Sequence, residues 1–177
     1  MTEPATQSNT APTAEPRGAG KRGLARLAAV QALYQIELTA TEPGAVVSEF
    51  LAHRLGREID GDQYAEADRG YFADLVKGCS ERREDVDGIV VAALPPDWPL
   101  PRLESVLRAI LRAGAYELLA RSDVPARVAI NEYVEIAHAF FSGKEPGMVN
   151  GVLDRIARTL REAELSGTGR DGGAEAR

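Results

Sequence analysis

The sequence predicts an all-α protein built as two packed small helical bundles, and three observations predict it. Apolar residues recur at three- and four-residue spacing in successive segments, no stretch alternates with period two, and a proline-rich break divides the chain near its middle. The break holds Pro95, Pro96, Pro99 and Pro101. Each proline lacks an amide donor and restricts the residue before it, so no helix runs through the segment. The expected organisation is an N-terminal helical subdomain over 17–95 and a C-terminal one over 96–165. Residues 1–16, rich in Thr, Pro, Ala and Glu, and the Gly-rich residues 166–177 read as disordered tails.

From Lys21 to Thr39 apolar residues occupy most of the helical cylinder, which predicts a well-buried first helix with a basic, exposed beginning. Glu42, Pro43 and Gly44 break it, and Val46, Val47, Phe50, Leu51 and Leu55 mark a second helix running to Gly56. An acidic loop is expected at 57–63. Tyr71, Phe72, Leu75, Val76 and Cys79 then begin a stripe that Val86, Ile89, Val90 and Ala93 continue, as one long helix or two nearly continuous ones across about 64–94. Trp98, among the prolines, is expected to wedge between the halves as core.

After the break, Leu103, Leu107, Ile110, Leu111, Gly114 and Leu118 share one helical face, with Arg108 and Arg112 on another. Glycine inside a helix costs about 1 kcal/mol relative to alanine, so Gly114 predicts a close helix crossing. Ser122 to Pro125 supply a turn, and the next helix carries Val128, Ile130, Val134, Ile136 and Phe140. The last begins near Pro146, a residue favoured in a first turn, and runs through Val149, Val152, Leu153, Ile156 and Leu160. Gly151 is read as a second close contact, and Asn131, Glu132 and Asn150 as polar groups joining helix ends or bracing the last two helices.

A chain of 177 residues with 44% hydrophobic content has enough apolar surface for a continuous core. Its single cysteine, Cys79, excludes an internal disulfide or a thiolate metal cluster and suits a reducing cytoplasm. The opening MTEPATQSNTAPTAEP lacks the apolar core of a signal peptide, and no run approaches the roughly 20 apolar residues a membrane span needs, so a soluble cytoplasmic protein is expected.

The formal net charge of −6 argues against indiscriminate nucleic-acid binding, which depends on broad phosphate neutralisation. Charge is nevertheless uneven. Arg17, Lys21, Arg22 and Arg26 form a basic segment without an acid among them, whereas Glu58, Asp60, Asp62, Glu66, Asp68 and Asp74 make a later region acidic. This pattern fits either a limited, partner-assisted contact with nucleic acid or a solvated helix start.

Patterns that would carry catalysis fail their own requirements. Gly18 to Gly23 spell G-x-G-x-x-G, but no strand precedes them, and Arg22 stands where a phosphate-binding loop needs Ser or Thr. Asp60 and Asp62 resemble a calcium-loop start, yet Ala65 and Tyr71 replace the required Gly and Glu. His53 and His138 fall within predicted helices with no nucleophile motif beside them. No enzyme, cofactor or metal is expected.

Four separated segments in order, AVQALY (29–34), AYEL (115–118), SDVPARVAINEYVEIA (122–137) and VNGVLD (149–154), give the chain a resemblance to the NusB family of bacterial transcription antitermination factors, over roughly residues 21–162. The resemblance implies a fold of that type and recognition of single-stranded boxA RNA in ribosomal RNA transcripts. It also implies joint action with NusE, a small-subunit ribosomal protein, in an RNA polymerase antitermination complex.

The implied RNA surface is the basic N-terminal helix with Arg17, Lys21, Arg22, Arg26 and Tyr34, together with Ser142 to Met148, which includes Lys144. Tyr34 reads either as RNA-facing or as a core residue whose hydroxyl reaches the surface. Lys144 reads as an RNA contact or a solvated loop lysine. Some relatives place an aromatic residue where this chain has Met148, which contacts a base without stacking on it. The helix at 102–120 and its prolines are the expected partner-docking face. Two other readings remain: a NusB-like accessory domain of an RNA cytosine methyltransferase, although the chain stops at Arg177 before any catalytic domain, and a noncatalytic helical adaptor.

Overall fold

The computed structural model describes residues 20–55 and 67–167. Those residues form eight α-helices: α1 (Lys21–Thr39), α2 (Pro43–His53), α3 (Arg69–Glu81), α4 (Arg83–Ala93), α5 (Ser105–Ala120), α6 (Ala126–Phe140), α7 (Glu145–Leu160) and α8 (Glu162–Ser166). A 3₁₀ turn at Leu100–Arg102 follows the prolines. The all-α expectation holds. The tail at 1–16, Arg17 and the acidic loop at 57–63 lie outside the described residues, as does 168–177. Ser166, placed in the C-terminal tail by its composition, instead ends α8.

Local chemistry sets the helix boundaries. The Glu42-Pro43-Gly44 triplet begins α2 as well as separating it from α1: the Glu42 carboxylate accepts the Ala45 N–H at 3.1 Å, and Pro43 occupies the first turn, where its missing amide is no loss. Asp68 caps α3 by accepting the Tyr71 N–H at 2.9 Å. The stripe across α3 and α4 resolves into two helices at Arg82.

Helix α5 is the axis of the molecule and packs against α1, α3, α4, α6 and α7. It is buried nearly all round, including Arg112 and Glu117, which corrects the expectation of one apolar face opposite an arginine face. Its cations are accommodated by partners. Glu37 of α1 lies between Arg108 and Arg112, accepting from Arg108 Nε at 2.8 Å and Arg112 Nη1 at 3.0 Å, while Asp87 of α4 accepts from Arg112 Nε at 2.7 Å.

The deepest polar cluster joins four helices. Arg26 of α1, 3% exposed, donates through Nη2 and Nε to Glu117 of α5, 0% exposed, at 2.6 and 3.0 Å. Tyr71 of α3 donates a short hydrogen bond to the same carboxylate, and Tyr133 of α6 donates another at 2.7 Å. Burial opposes the Arg26 charge, but the hydrogen bond and attraction to Glu117 hold its pKa above the ordinary arginine value. Burial, reinforced by the Glu117 charge, pushes the Tyr133 and Tyr71 hydroxyls well above theirs. Arg26 was expected on an RNA-binding surface; its guanidinium is instead a structural cation of the core, because Glu117 supplies its counter-charge there.

Of the two glycines expected at close contacts, one is found there and one is not. Gly114 does mark a close crossing, since a Cβ there would lie 2.9 Å from both Leu153 δ-carbons. Nothing lies within 4 Å of a Cβ built on Gly151, so that residue serves no close contact. The tightest position is Gly78 of α3, where a Cβ would fall 1.9 Å from the Tyr116 hydroxyl. That hydroxyl donates to Asp74 at 3.0 Å.

Asn131 and Asn150 are exposed and line a groove of about 570 Å³ beside α8 rather than bracing helices. Glu132 faces Arg26 Nη1 at 3.8 Å. Trp98, expected to wedge between the halves as core, is partly buried and packs against the core.

Helix ends leave carbonyls without partners, and α5 solves this with a distant side chain. Arg161, between α7 and α8, donates to the carbonyls of Leu118 at 2.9 Å, Arg121 at 2.5 Å and Val124 at 2.6 Å. Glu164 accepts the Ala126 N–H at 2.7 Å, capping α6. The α5–α6 turn is thereby fixed from the far end of the chain.

Replacing Glu117 with Ala leaves the Arg26 charge buried without its partner, and a loss of about 3–5 kcal/mol is expected in a urea titration. Arg26→Ala is likewise a stability variant. Gly78→Ala forces the Tyr116 ring aside and should cost about 1–3 kcal/mol. Combined with Tyr116→Ala, which vacates the same space, the double variant should be more stable than the sum of the two single losses predicts; strict additivity would show that the contact is relieved elsewhere.

Candidate nucleic-acid interface

The first turn of α1 carries Lys21 and Arg22, both exposed, and no acidic residue. Cations at a helix N-terminus oppose the macrodipole, at a cost of about 0.3–1 kcal/mol each. Stability alone therefore does not account for them, and two cations added to the positive end of a helix make a concentrated attractive field for an anion. The Arg22 guanidinium stacks 4.5 Å from the Tyr71 ring centroid and lies 3.5 Å from Asp123 and 3.9 Å from Asp68. Arg121, at the end of α5, approaches the same ring at 4.7 Å, and it also pairs with Asp123 at 3.1 Å and Asp74 at 3.4 Å. Arg121 was not among the residues expected from sequence. It sits 99 positions after Arg22, so no local pattern could have joined them.

Tyr34 lies three turns further along α1, about 18 Å from Arg22 at 1.5 Å per residue. It is 36% exposed and lines a groove of about 650 Å³ with Val30, Gln31, Leu38, Val106 and Phe140. The open choice between core and surface thus resolves to a surface tyrosine whose ring borders a groove. Phe140, 42% exposed, joins it there although periodicity had counted it in the apolar stripe of α6. A signal did exist. Phe140 and Phe141 are adjacent at a helix end and cannot share one face, and it is Phe141 that packs on the core.

The loop after Phe140 leads to Lys144, exposed at the N-cap of α7, and Met148 is partly buried in the first turn of that helix. The structure thus brings Tyr34 and Phe140 together in one groove, with Lys144 on the loop that follows. Lys21 and Arg22 occupy the opposite end of α1. Arg26 leaves the set, and Arg17 lies outside the described residues. Within the expected docking face over 102–120 and its prolines, α5 is largely interior; the exposed residues include Pro96, Asp97, Pro99, Pro101, Arg102 and Glu104. Cys79 is buried, and burial pushes its thiol up to about 12, so it is no nucleophile. Among the described residues no helix is long and apolar enough to cross a membrane.

Chemically, this surface offers point cations for phosphates, and aromatic rings bordered by the amide of Gln31 for unstacked bases. Comparisons with known proteins agree on one family. The NusB family's sequence profile matches residues 24–158. The transcription antitermination protein NusB of Brucella ovis is 55% identical over 146 residues, covering 82% of this chain and 85% of that protein. Among solved structures, T. maritima NusB superposes with a TM-score of 0.68 at 29% identity, covering 82% of this chain and 96% of its own. A chain from a crystal structure of antitermination factors NusB and NusE in complex with dsRNA superposes with a TM-score of 0.65 at 27% identity, covering 78% of this chain and 97% of its own. With the family profile spanning most of the sequence and the helical architecture shared, the chain belongs to the NusB family.

Proposed function

We propose that this protein is a noncatalytic, cytoplasmic RNA-binding antitermination factor that takes single-stranded boxA RNA from nascent ribosomal transcripts jointly with NusE, within an RNA polymerase antitermination complex. The observation that carries this reading is the pair Lys21 and Arg22 at the positive end of α1 in a protein of net charge −6. Family membership supports it, as does the likeness to a protein crystallised with NusE and RNA.

In this reading Lys21 and Arg22 hold phosphates, and the Tyr34–Phe140 groove receives bases. Phe140 offers the exposed ring that Met148 does not, and Lys144 sits at the RNA edge. The exposed prolines before α5 form part of the NusE face. Affinity for RNA alone is modest, because so small a basic footprint neutralises few phosphates.

Partner and RNA should therefore couple by about 1–3 kcal/mol, roughly 5–150-fold in affinity. Titrating a boxA-like single strand into the protein with and without saturating NusE measures the coupling, and equal affinities would sink the joint-binding reading. Arg22→Ala should flatten the log–log salt dependence by about 0.7, as expected for one lost phosphate contact on a single strand. Phe140→Ala should instead lower affinity by about 1–3 kcal/mol with the salt slope unchanged, since stacking carries no counterion release. Lys144→Glu should weaken binding at low salt, where screening is least; affinity equal to the parent's there would remove the loop from the site.

A further inference from the structure

One exposed carboxylate on this surface is shared by two arginines. Asp123 Oδ2 lies 3.5 Å from Arg22 Nη1 and 3.1 Å from Arg121 Nη2, and its Oδ1 accepts from Arg121 Nε at 3.1 Å. Both guanidinia rest against the ring of Tyr71, which is 3% exposed and tied by its hydroxyl to Glu117. The platform is therefore fixed from below while the charged groups above it meet solvent: the side chains of Arg22, Arg121 and Asp123 are 45%, 27% and 51% exposed. The other acids facing the pair are Asp68, 3.9 Å from Arg22, and Asp74, 3.4 Å from Arg121.

We propose that Arg22 and Arg121 form a clamp for one phosphodiester of the RNA backbone, and that Asp123 occupies its seat in the free protein as an internal competitor. The inference rests on the RNA-binding reading above. A phosphodiester, like the carboxylate, presents two oxygens and a single negative charge, so it fits the same two-arginine fork. Displacement is easy on both sides. An exposed ion pair contributes little stability, whereas a phosphate leaving its counterion atmosphere gains from their release. Asp123 lies on the turn between α5 and α6, and its side chain swings away without disturbing the core. The Arg121 hydrogen bond also holds its carboxyl below the ordinary aspartate value, so the competitor stays charged at neutral pH.

The clamp extends the RNA path from the start of α1 across to the α5–α6 turn, and it makes Asp123 a residue that tunes affinity. The test is a boxA-like single strand titrated into the full chain and into D123N, R121Q, the double variant R121Q/D123N and a control, E84Q. Glu84 is an exposed carboxylate of α4 whose removal makes the same change in net charge. D123N is expected to tighten binding about two- to fivefold, the range set by freeing a competing exposed ion pair. E84Q should give a smaller gain, R121Q should flatten the salt slope by about 0.7, and the D123N gain should vanish in the double variant.

Equal gains from D123N and E84Q would reduce the effect to bulk charge and overturn the clamp. So would a D123N gain that survives in R121Q/D123N, or a loss of affinity in D123N. Melting temperatures of each variant identify any that fail to fold, and R121K, which keeps the charge but not the fork, then takes the place of R121Q. A parent that binds RNA and responds to Arg22→Ala but not to D123N sinks the clamp alone. A parent that binds no RNA, with or without NusE, sinks both it and the reading beneath it.

Discussion

The buried ion pair between Arg26 and Glu117 is the constraint on which the rest of the structure depends. Two charges removed from water are costly unless geometry and further hydrogen bonds satisfy them. Here Glu117 receives the guanidinium of α1, the Tyr71 hydroxyl of α3 and the Tyr133 hydroxyl of α6. One side chain on the central helix therefore dictates the axial position of three others, because a shift of any helix by a single residue strands a charge or a hydroxyl. Apolar packing alone would tolerate such slippage far better.

That constraint reaches the surface through helical geometry. Arg22 stands one turn before Arg26, and the two guanidinia contact the same tyrosine ring, one from solvent and one from the core. The buried pair thus fixes where the exposed cation sits. Arg161 gathers the free carbonyls at the end of α5, so the turn bearing Asp123 is also anchored. The candidate site is a set of exposed charges on a buried, hydrogen-bonded base.

Much of the fold was legible in the sequence, and the reason is local. Prolines at 95–101, the apolar stripes and the turn at 122–125 act within a few residues, and they gave the helices and the break between them. What escaped was pairing across long separations. Arg26 looked like one more surface cation because its partner lies 91 residues away, and Glu117 looked ordinary for the same reason. Gly78 passed unnoticed although its space is filled by Tyr116, and Gly151 attracted attention although nothing approaches it. The same limit governed the site. Lys21, Arg22 and Lys144 are exposed as residue type and helix position predict, whereas Tyr34 stayed open until its exposure was seen. Phe140 and Arg121 were missed because their exposure and neighbours are tertiary facts.

In the proposed RNA-binding reading, the cations at the start of α1 also affect how an RNA arrives. A polyanion approaching a body of net charge −6 is favoured where cations gather, and at that helix end side-chain charge and helix dipole add. Orientation is therefore selected during diffusion, before any contact forms, and collisions in wrong poses are short-lived. On that reading the acidic surface acts as a filter on encounters, because a net negative body disfavours indiscriminate binding to other strands.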